Sequence, residues 1–444
     1  MAIRSLRLKN FKCFEDSGEV PLKPLTLVFG RNNTGKSTLL HGLLVLRQSL
    51  ESSSGARLNL RGPLYDAGTF GDVVHMHQRQ RPLEFILTLD TPGDSNSPVE
   101  LTFEFRSDEP QPPRLSRLEY RRRPGHSLVI SRGQGRSGPY QMSIGSESLG
   151  NETKANFRAG AGPFLPLIGD EPPKRGRPNG QRERIRAGAR SALKTLALDL
   201  SSMRAVSAFR QQPHRTYEFG GRALPGVIDS AGQNVVDALI DDSTKRGRKG
   251  VLLSSVNSWL KKVGRVRLMK LIPSSKSRRI YEVRVKDTDS GRWANFADVG
   301  FGIGQALPVL VEGLRTNPGG IFLAQEPEIH LHPDAQLAMA DFLIDLARNK
   351  RTVIAETHSE NVLLRIQRSI VASVSDRRGS SRINPDEISI VFVDKAGGGA
   401  STTKTLSMNE IGNISNWPKR FMEEASQERL EILRGMSKLH EGTP

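Results

Sequence analysis

Three short apolar, β-prone runs organise this chain: Leu25 to Phe29, Ile321 to Ala324 and Thr352 to Ala355. Each is too short for a helix and is apolar at successive rather than alternating positions, the pattern of a parallel strand buried on both faces. Each also ends in a polar cluster, so its C-terminal end can deliver polar side chains to a ligand. Elsewhere the pattern alternates. Ile3 to Leu8 switches between apolar and basic residues, and with Asn10-Phe11-Lys12-Cys13-Phe14 and a turn around Asp16-Ser17-Gly18 it predicts a hairpin. Leu83 to Leu89 and Val99 to Phe105 predict antiparallel strands of an accessory sheet, and Ile280 to Val285 one further strand.

Helical spacing appears over Ser191 to Leu200, Val235 to Asp241 and Val251 to Val263. Asp298 to Leu314 crosses a Gly-rich turn into an amphipathic helix, and Trp417 to Lys438 is expected to be mostly helical. Pro, Gly and charge dominate from Asp108 to Pro113 and from Gly160 to Gly180, where flexible loops are expected. The fold class predicted is α/β: a mostly parallel core sheet with an antiparallel accessory sheet, interrupted by a basic insertion that is partly helical and partly irregular. The expected division is 1–105 for the first half of the core, 106–270 for the insertion, 271–400 for the second half and 401–444 for a helical extension.

The polar cluster after the first run is Gly30-Arg31-Asn32-Asn33-Thr34-Gly35-Lys36-Ser37, a complete G-x-x-x-x-G-K-S phosphate loop, with Thr38 following. Glycines let the backbone close around a phosphate with its N–H groups inward. The helix that begins near Lys36 aims its positive dipole end at the same anion. Lys36 would bridge the β- and γ-phosphates of ATP or GTP, and the Ser37 hydroxyl would ligate Mg2+. The clusters after the other two runs are Gln325-Glu326-Pro327-Glu328-Ile329-His330-Leu331-His332-Pro333 and Glu356-Thr357-His358-Ser359. A carboxylate at Glu326, held near a γ-phosphate, can orient or deprotonate the attacking water. An imidazole at His358 can hydrogen-bond the γ-phosphate.

Composition narrows the partners. Hydrophobic residues make up 36% and aromatics 6% of 444 residues, with no apolar run long enough to span a bilayer and no leader pattern at Met1-Ala2-Ile3-Arg4. A cytoplasmic protein without a membrane partner is expected. The single cysteine, Cys13, excludes an internal disulfide framework. The formal charge of +18 favours polyanions, nucleic acid first among them. Basic residues concentrate at Arg121-Arg122-Arg123, then at Lys174, Arg175, Arg177, Arg182, Arg184, Arg186 and Arg190, with a second set from Lys245 to Arg267. The first set has no interleaved aromatics, so it predicts phosphate-backbone contact and no base stacking.

Together these motifs resemble the ABC-type ATPase head, in the branch containing SMC, RecF and overcoming-lysogenization-defect (OLD) proteins. The resemblance rests on Leu6 to Phe14, the phosphate loop, Glu326 to Pro333 and Glu356 to Ser359. Asp298-Val299-Gly300-Phe301-Gly302-Ile303-Gly304-Gln305 looks like a degenerate signature motif, and Asn416-Trp417-Pro418 resembles a C-terminal extension of bacterial ATPases in this branch.

The resemblance implies two heads, a homodimer or higher even oligomer, sandwiching ATP. Gly302, Gly304 and Gln305 would then reach the partner's γ-phosphate, and His330 and His332 would lie in a dimer-contact loop. It also exposes two departures. Gln325 stands where the branch places a magnesium-binding Asp, and the signature lacks a serine, so metal affinity and turnover are expected to fall. After Ile388 to Val393 comes Asp394-Lys395-Ala396-Gly397-Gly398-Gly399, without the paired carboxylates of the OLD nuclease. A nuclease, if used, would be a separate effector chain. The expected function is an ATPase that dimerises around ATP, contacts DNA or a DNA-associated trigger and controls such an effector, in a setting such as anti-phage defence. The alternatives are a RecF-like DNA maintenance ATPase and an ATP-gated scaffold with little turnover.

Overall fold

The computed structural model describes residues 3–50, 56–91, 94–122, 125–132, 140–144, 147–148, 154–157, 166–167, 180–220, 230–244, 250–264, 266–274, 279–375, 383–418, 421–422, 428 and 431–432. The core is a six-stranded sheet made of β4 (Leu25–Gly30), β13 (Arg204–Val206), β18 (Ile321–Gln325), β19 (Thr352–Glu356), β20 (Ile388–Lys395) and β21 (Ser401–Leu406). Their order is β13-β18-β19-β4-β20-β21, all parallel except the final β20–β21 pair.

The three apolar runs form the central strands β18, β19 and β4, and every residue in each is buried. The two faces of these strands enter two different cores. Val28, Leu323, Ile354 and Val391 pack with helix α1 (Lys36–Leu50). Leu27, Phe29, Phe322, Ala324, Val353 and Phe392 pack with the helices on the other side. A strand covered on both faces favours apolar residues at successive positions, and the polar exception within β4, Thr26, is satisfied by the Lys23 backbone.

The second sheet is an antiparallel lobe of eleven strands. Its spine is β1 (Ile3–Phe11), β5 (Leu83–Thr91), β6 (Asp94–Asp108), β7 (Gln111–Arg122), β8 (His126–Arg132) and β9 (Tyr140–Ile144). Short strands complete it: β2 (Phe14–Asp16), β3 (Val20–Pro21), β10 (Glu147–Ser148), β11 (Lys154–Phe157) and β12 (Pro166–Leu167). The predicted hairpin and the strands near 83–89 and 99–105 lie here. A third sheet, β14 (Tyr217–Glu218), β15 (Val266–Pro273), β16 (Ile280–Asp287) and β17 (Trp293–Asn295), covers the far helices.

Eight helices complete the fold among the described residues. After α1 come α2 (Phe70–Val73), α3 (Gly180–Ser201), α4 (Val235–Thr244), α5 (Val251–Val263), α6 (Phe301–Arg315), α7 (Pro333–Arg348) and α8 (Glu360–Ser375). The five helical predictions that fall within the described residues correspond to α1, α3, α4, α5 and α6. None of these helices is long and apolar enough to cross a membrane.

The chain between 106 and 132 departs from a loop-rich reading. Asp108 to Pro113 is a tight connection from β6 into β7 rather than a flexible loop. Its charge is used locally: Asp108 pairs with Arg57 at 2.8 Å and with Arg114 at 3.3 Å. Leu115, Leu118 and Tyr120 of β7 point into the lobe core, while Arg117 and Arg121 alternate outward to meet Glu119 at 3.0 and 2.7 Å. Arg121 is thus occupied in the lobe rather than presented freely. Most of 160–180, the basic residues 174, 175, 177, 245, 246, 248 and 249, and most of the predicted tail helix lie outside the described residues.

Residues after 383 are no appendage. β20 lies directly beside β4, pairing Val393 with Gly30. Farther along, Ser401 donates its N–H to the Cys13 carbonyl at 2.8 Å. Trp417 and Phe421 pack at 5.5 Å between ring centroids, and Trp417 also meets Phe29 of β4 edge-on.

Candidate nucleotide and metal site

β4 ends at Gly30 and the chain turns tightly into α1. Gly30 has φ of +154°, and a Cβ there would sit 2.3 Å from the Val393 carbonyl oxygen. Only glycine fits between that strand and the loop. Thr34 Oγ1 donates to the Arg31 carbonyl at 2.8 Å, and Lys36 Nζ donates to the same oxygen at 2.8 Å. Lys36 is buried, and burial pulls its pKa down. Its charge is poorly solvated and suited to an incoming anion. Cys13, read from sequence as a hairpin residue, lies beneath the loop with Sγ 3.9 Å from the Thr34 carbonyl.

The parallel register aligns Gln325 with Glu356 and Glu356 with Val28, so the two downstream clusters emerge beside the phosphate loop. Ser37 Oγ donates to Glu356 Oε1 at 2.7 Å. His358 Nε2 lies 3.9 Å from Glu326 Oε1. One ligand atom each from Glu326, Glu356 and His358 falls within a 4.8 Å cluster. Lys36, Ser37, Gln325, Glu326 and His358 therefore converge, although Lys36 and His358 are separated by over three hundred positions in sequence. Burial raises the Glu356 pKa and lowers that of His358. A desolvated pocket of this kind disfavours every isolated charge and favours a complementary polyanion with its cation.

The backbone around Glu326 is strained and held. Glu326 has φ of 44°, a conformation that costs on the order of 1–3 kcal/mol for a non-glycine residue. Its N–H donates to the Glu356 carbonyl at 2.8 Å. Arg210 clamps it from the other side: its guanidinium donates to the carbonyls of Ser207 (2.9 Å), Gln305 (3.0 Å), Gln325 (2.6 Å) and Glu326 (2.9 Å). Burial lowers the Arg210 pKa to about 10, which leaves it charged at neutral pH. Glu328 is buried and accepts from the Thr357 hydroxyl and from the His358 N–H at 3.1 Å. It thereby ties the Glu326 loop to the strand end that carries His358.

The signature-like segment packs onto the same loop of its own chain. A Cβ on Gly302 would lie 2.6 Å from the His330 carbonyl, and one on Gly304 would lie 2.7 Å from Pro213 Cγ. Phe301 stacks edge-on against His330 at 4.8 Å. Gln305 is buried, and its amide donates to the Arg210 carbonyl at 3.4 Å, so its side chain faces inward. His332 stands at the start of α7, 3.8 Å from Asp334.

Sequence reasoning overlooked four participants: Glu356 as a partner of Ser37, Glu328, Arg210 and His41. His41 stacks on Tyr65 at 3.8 Å and meets Gln325 Nε2 at 3.1 Å. Glu356 had a usable signal, a charged residue closing an otherwise apolar strand. Arg210 had none, being one cation in an irregular stretch.

No curated protein matches the chain in sequence. Solved structures that match include SMC heads. An SMC head bound to the C-winged helix domain of ScpA shares 13% identity, covering 92% of this chain and 99% of that one, with a TM-score of 0.49. The SMC head domain from Thermotoga maritima shares 11% identity, covering 92% and 100%, with a TM-score of 0.41. The Smc head domain with an extended coiled coil, bound to the C-terminal domain of ScpA derived from Pyrococcus furiosus, shares 12% identity, covering 98% and 99%, with a TM-score of 0.45. A family model described as "Protein of unknown function (DUF3696)" matches residues 383–432. Residues 25–365, spanning the phosphate loop and both downstream clusters, match the family described as "AAA domain, putative AbiEii toxin, Type IV TA system". The chain belongs to that AAA-domain family.

Proposed function

We propose that this protein is an ATP-hydrolysing switch that pairs with a second copy around ATP and controls a separate effector. The observation that carries the reading is the meeting of Lys36 and Ser37 with Glu326, Glu356 and His358 at the C-terminal ends of three adjacent parallel strands.

In this reading the loop N–H groups and Lys36 hold the β- and γ-phosphates. Glu326 orients the attacking water and takes up its proton. His358 contacts the γ-phosphate and registers its loss. Mg2+ would be held at Ser37, where it neutralises phosphate charge. Gly302, at the start of α6, would face the nucleotide of the second copy, with the buried Gly304 and Gln305 behind it, and Arg210 would link that segment to Glu326. The family description names a toxin–antitoxin system, which accords with an ATP-dependent device that restrains or releases an effector. Anti-phage defence is the setting proposed, with a nuclease as one effector class.

The test is ATP binding and turnover by the purified protein, with Lys36→Ala and Glu326→Gln variants, with and without duplex DNA. Lys36→Ala is expected to lower ATP affinity ~100-fold, because charge-assisted contacts worth about 3 kcal/mol are lost. Glu326→Gln is expected to bind ATP but abolish turnover. Stimulation by DNA would support a DNA-responsive switch, and ATP-dependent duplex binding without any effector would favour the RecF-like alternative. Tight binding without turnover by the unaltered protein would favour the scaffold. ATP binding that is indifferent to Lys36 would overturn the proposal.

A further inference from the structure

Gln325 suggests a site short of one carboxylate, because the branch resemblance places a magnesium-binding Asp there. The side-chain geometry leads elsewhere. Glu356 is only 3% exposed, yet no ion pair to it is present among the described residues. Its Oε1 accepts from Ser37 Oγ at 2.7 Å, and its Oε2 faces Gln325 Nε2 at 3.4 Å. Lys36 lies near enough to favour its charge but not to pair with it, and burial still raises the Glu356 pKa, so the carboxylate is incompletely compensated and a cation is its natural complement.

The orientation of Gln325 reinforces this. Its amide nitrogen points to Glu356 Oε2 and to His41 Nε2, at 3.4 and 3.1 Å. The atom that Gln325 turns toward Glu356 is thus its amide nitrogen, a donor, and not a metal-ligating oxygen. His41 Nε2 must accept from that amide, so its own proton resides on Nδ1. Burial holds the His41 pKa at about 3, which keeps the ring neutral and able to accept. Gln325 therefore acts as a donor buttress beside Glu356, itself held by a fixed histidine.

We propose that the metal carboxylate has moved across one strand, from position 325 on β18 to Glu356 on β19, and that Glu356 with Ser37 holds the Mg2+ of bound ATP. The two positions are direct register partners, so the transposition leaves the carboxylate at the same sheet edge. Mg2+ suits the site because it takes oxygen donors and commonly uses one or two carboxylates beside phosphate and water. This assignment rests on the nucleotide reading above and deepens it: the Gln325 departure carries no deficit in metal affinity.

The experiment measures Mn2+ binding to the protein–ATP complex by electron paramagnetic resonance, together with ATP binding in EDTA by equilibrium dialysis. The proteins compared are the unaltered chain, Glu356→Gln, Gln325→Asp and the double swap Gln325→Asp with Glu356→Gln. Glu356→Gln keeps the side-chain shape and is expected to weaken Mn2+ by roughly 10- to 100-fold, while ATP binding in EDTA is not weakened, because a negative charge beside the phosphates is removed. The double swap is expected to recover most of that loss, whereas Gln325→Asp alone sets two carboxylates side by side and gains little.

Unchanged Mn2+ affinity in Glu356→Gln would overturn the assignment, as would a large gain in Gln325→Asp alone. If Glu356→Gln is unstable, the double swap decides: a folded double variant that fails to hold Mn2+ also overturns it. Failure of the unaltered chain to bind ATP in any condition would instead remove the nucleotide reading itself.

Discussion

The two large sheets solve different problems with different residues. The central strands of the core are buried on both faces, so their only free positions are their ends, and all the chemistry collects there. The antiparallel lobe buries one face, as in the alternating pattern of β5, and spends its outward positions on ion pairs such as Lys9 with Glu84 and Arg121 with Glu100. Its interior is aromatic: Phe85 meets Phe11 at 5.5 Å and Phe105 at 6.0 Å. A sheet closed on both faces concentrates function at an edge, while a sheet open on one face supplies bulk and surface.

That contrast makes stability and ligand affinity separable. The largest effect belongs to the lobe. Phe103, fully buried at its centre, is expected to cost about 4 kcal/mol of folding stability when changed to Ala. ATP affinity of the folded fraction should stay the same, which combined denaturation and titration would check. A large change in affinity would mean that the lobe participates in the site.

Next comes Arg210→Met. It fills similar space but leaves the carbonyls of Gln305, Gln325 and Glu326 without their donor, a loss of about 3 kcal/mol. Here stability and ATP turnover should fall together, because the strained Glu326 loses its clamp. Destabilisation with unaltered turnover would blur the division between scaffold and site.

The smallest effect, read over the first pH unit below 6.5, is a pH dependence. The folded His41 pKa of about 3 lies below the ordinary value of 6.5, so the unfolded chain binds the extra proton between those pH values. Stability is therefore lost as pH falls below 6.5. His41→Phe, which keeps an aromatic ring on Tyr65, should flatten that acid-side slope in thermal melts. An unchanged slope would place the acid sensitivity elsewhere.

The core and its phosphate loop were legible because an unbroken apolar run ending in glycine and lysine has few other physical meanings. Helices α4 to α6 were legible from their periodicity. The strands of β7 and β8 were not, because Arg and Ser on an outward face resemble a loop until cross-strand Glu partners are known. The task of Glu356 was hidden for a related reason. Its partner Ser37 lies 319 positions away in sequence, and only parallel register brings the two together. Arg210 shows the limit of local reading, since its four carbonyl partners come from three separate stretches of chain.

The placement of β4 also bears on how the protein is made. Its flanking strands, β19 and β20, are encoded more than three hundred residues after it. A ribosome can release much of the lobe spine early, but the phosphate loop has no neighbouring strand until synthesis passes residue 356 and lacks its second until 395. Such long-range pairing is slow to form and requires loop closure over most of the chain. Prematurely terminated products would thus carry the phosphate-loop sequence without a formed pocket, so competence to hold a nucleotide would arise only after nearly all of the described chain has been translated.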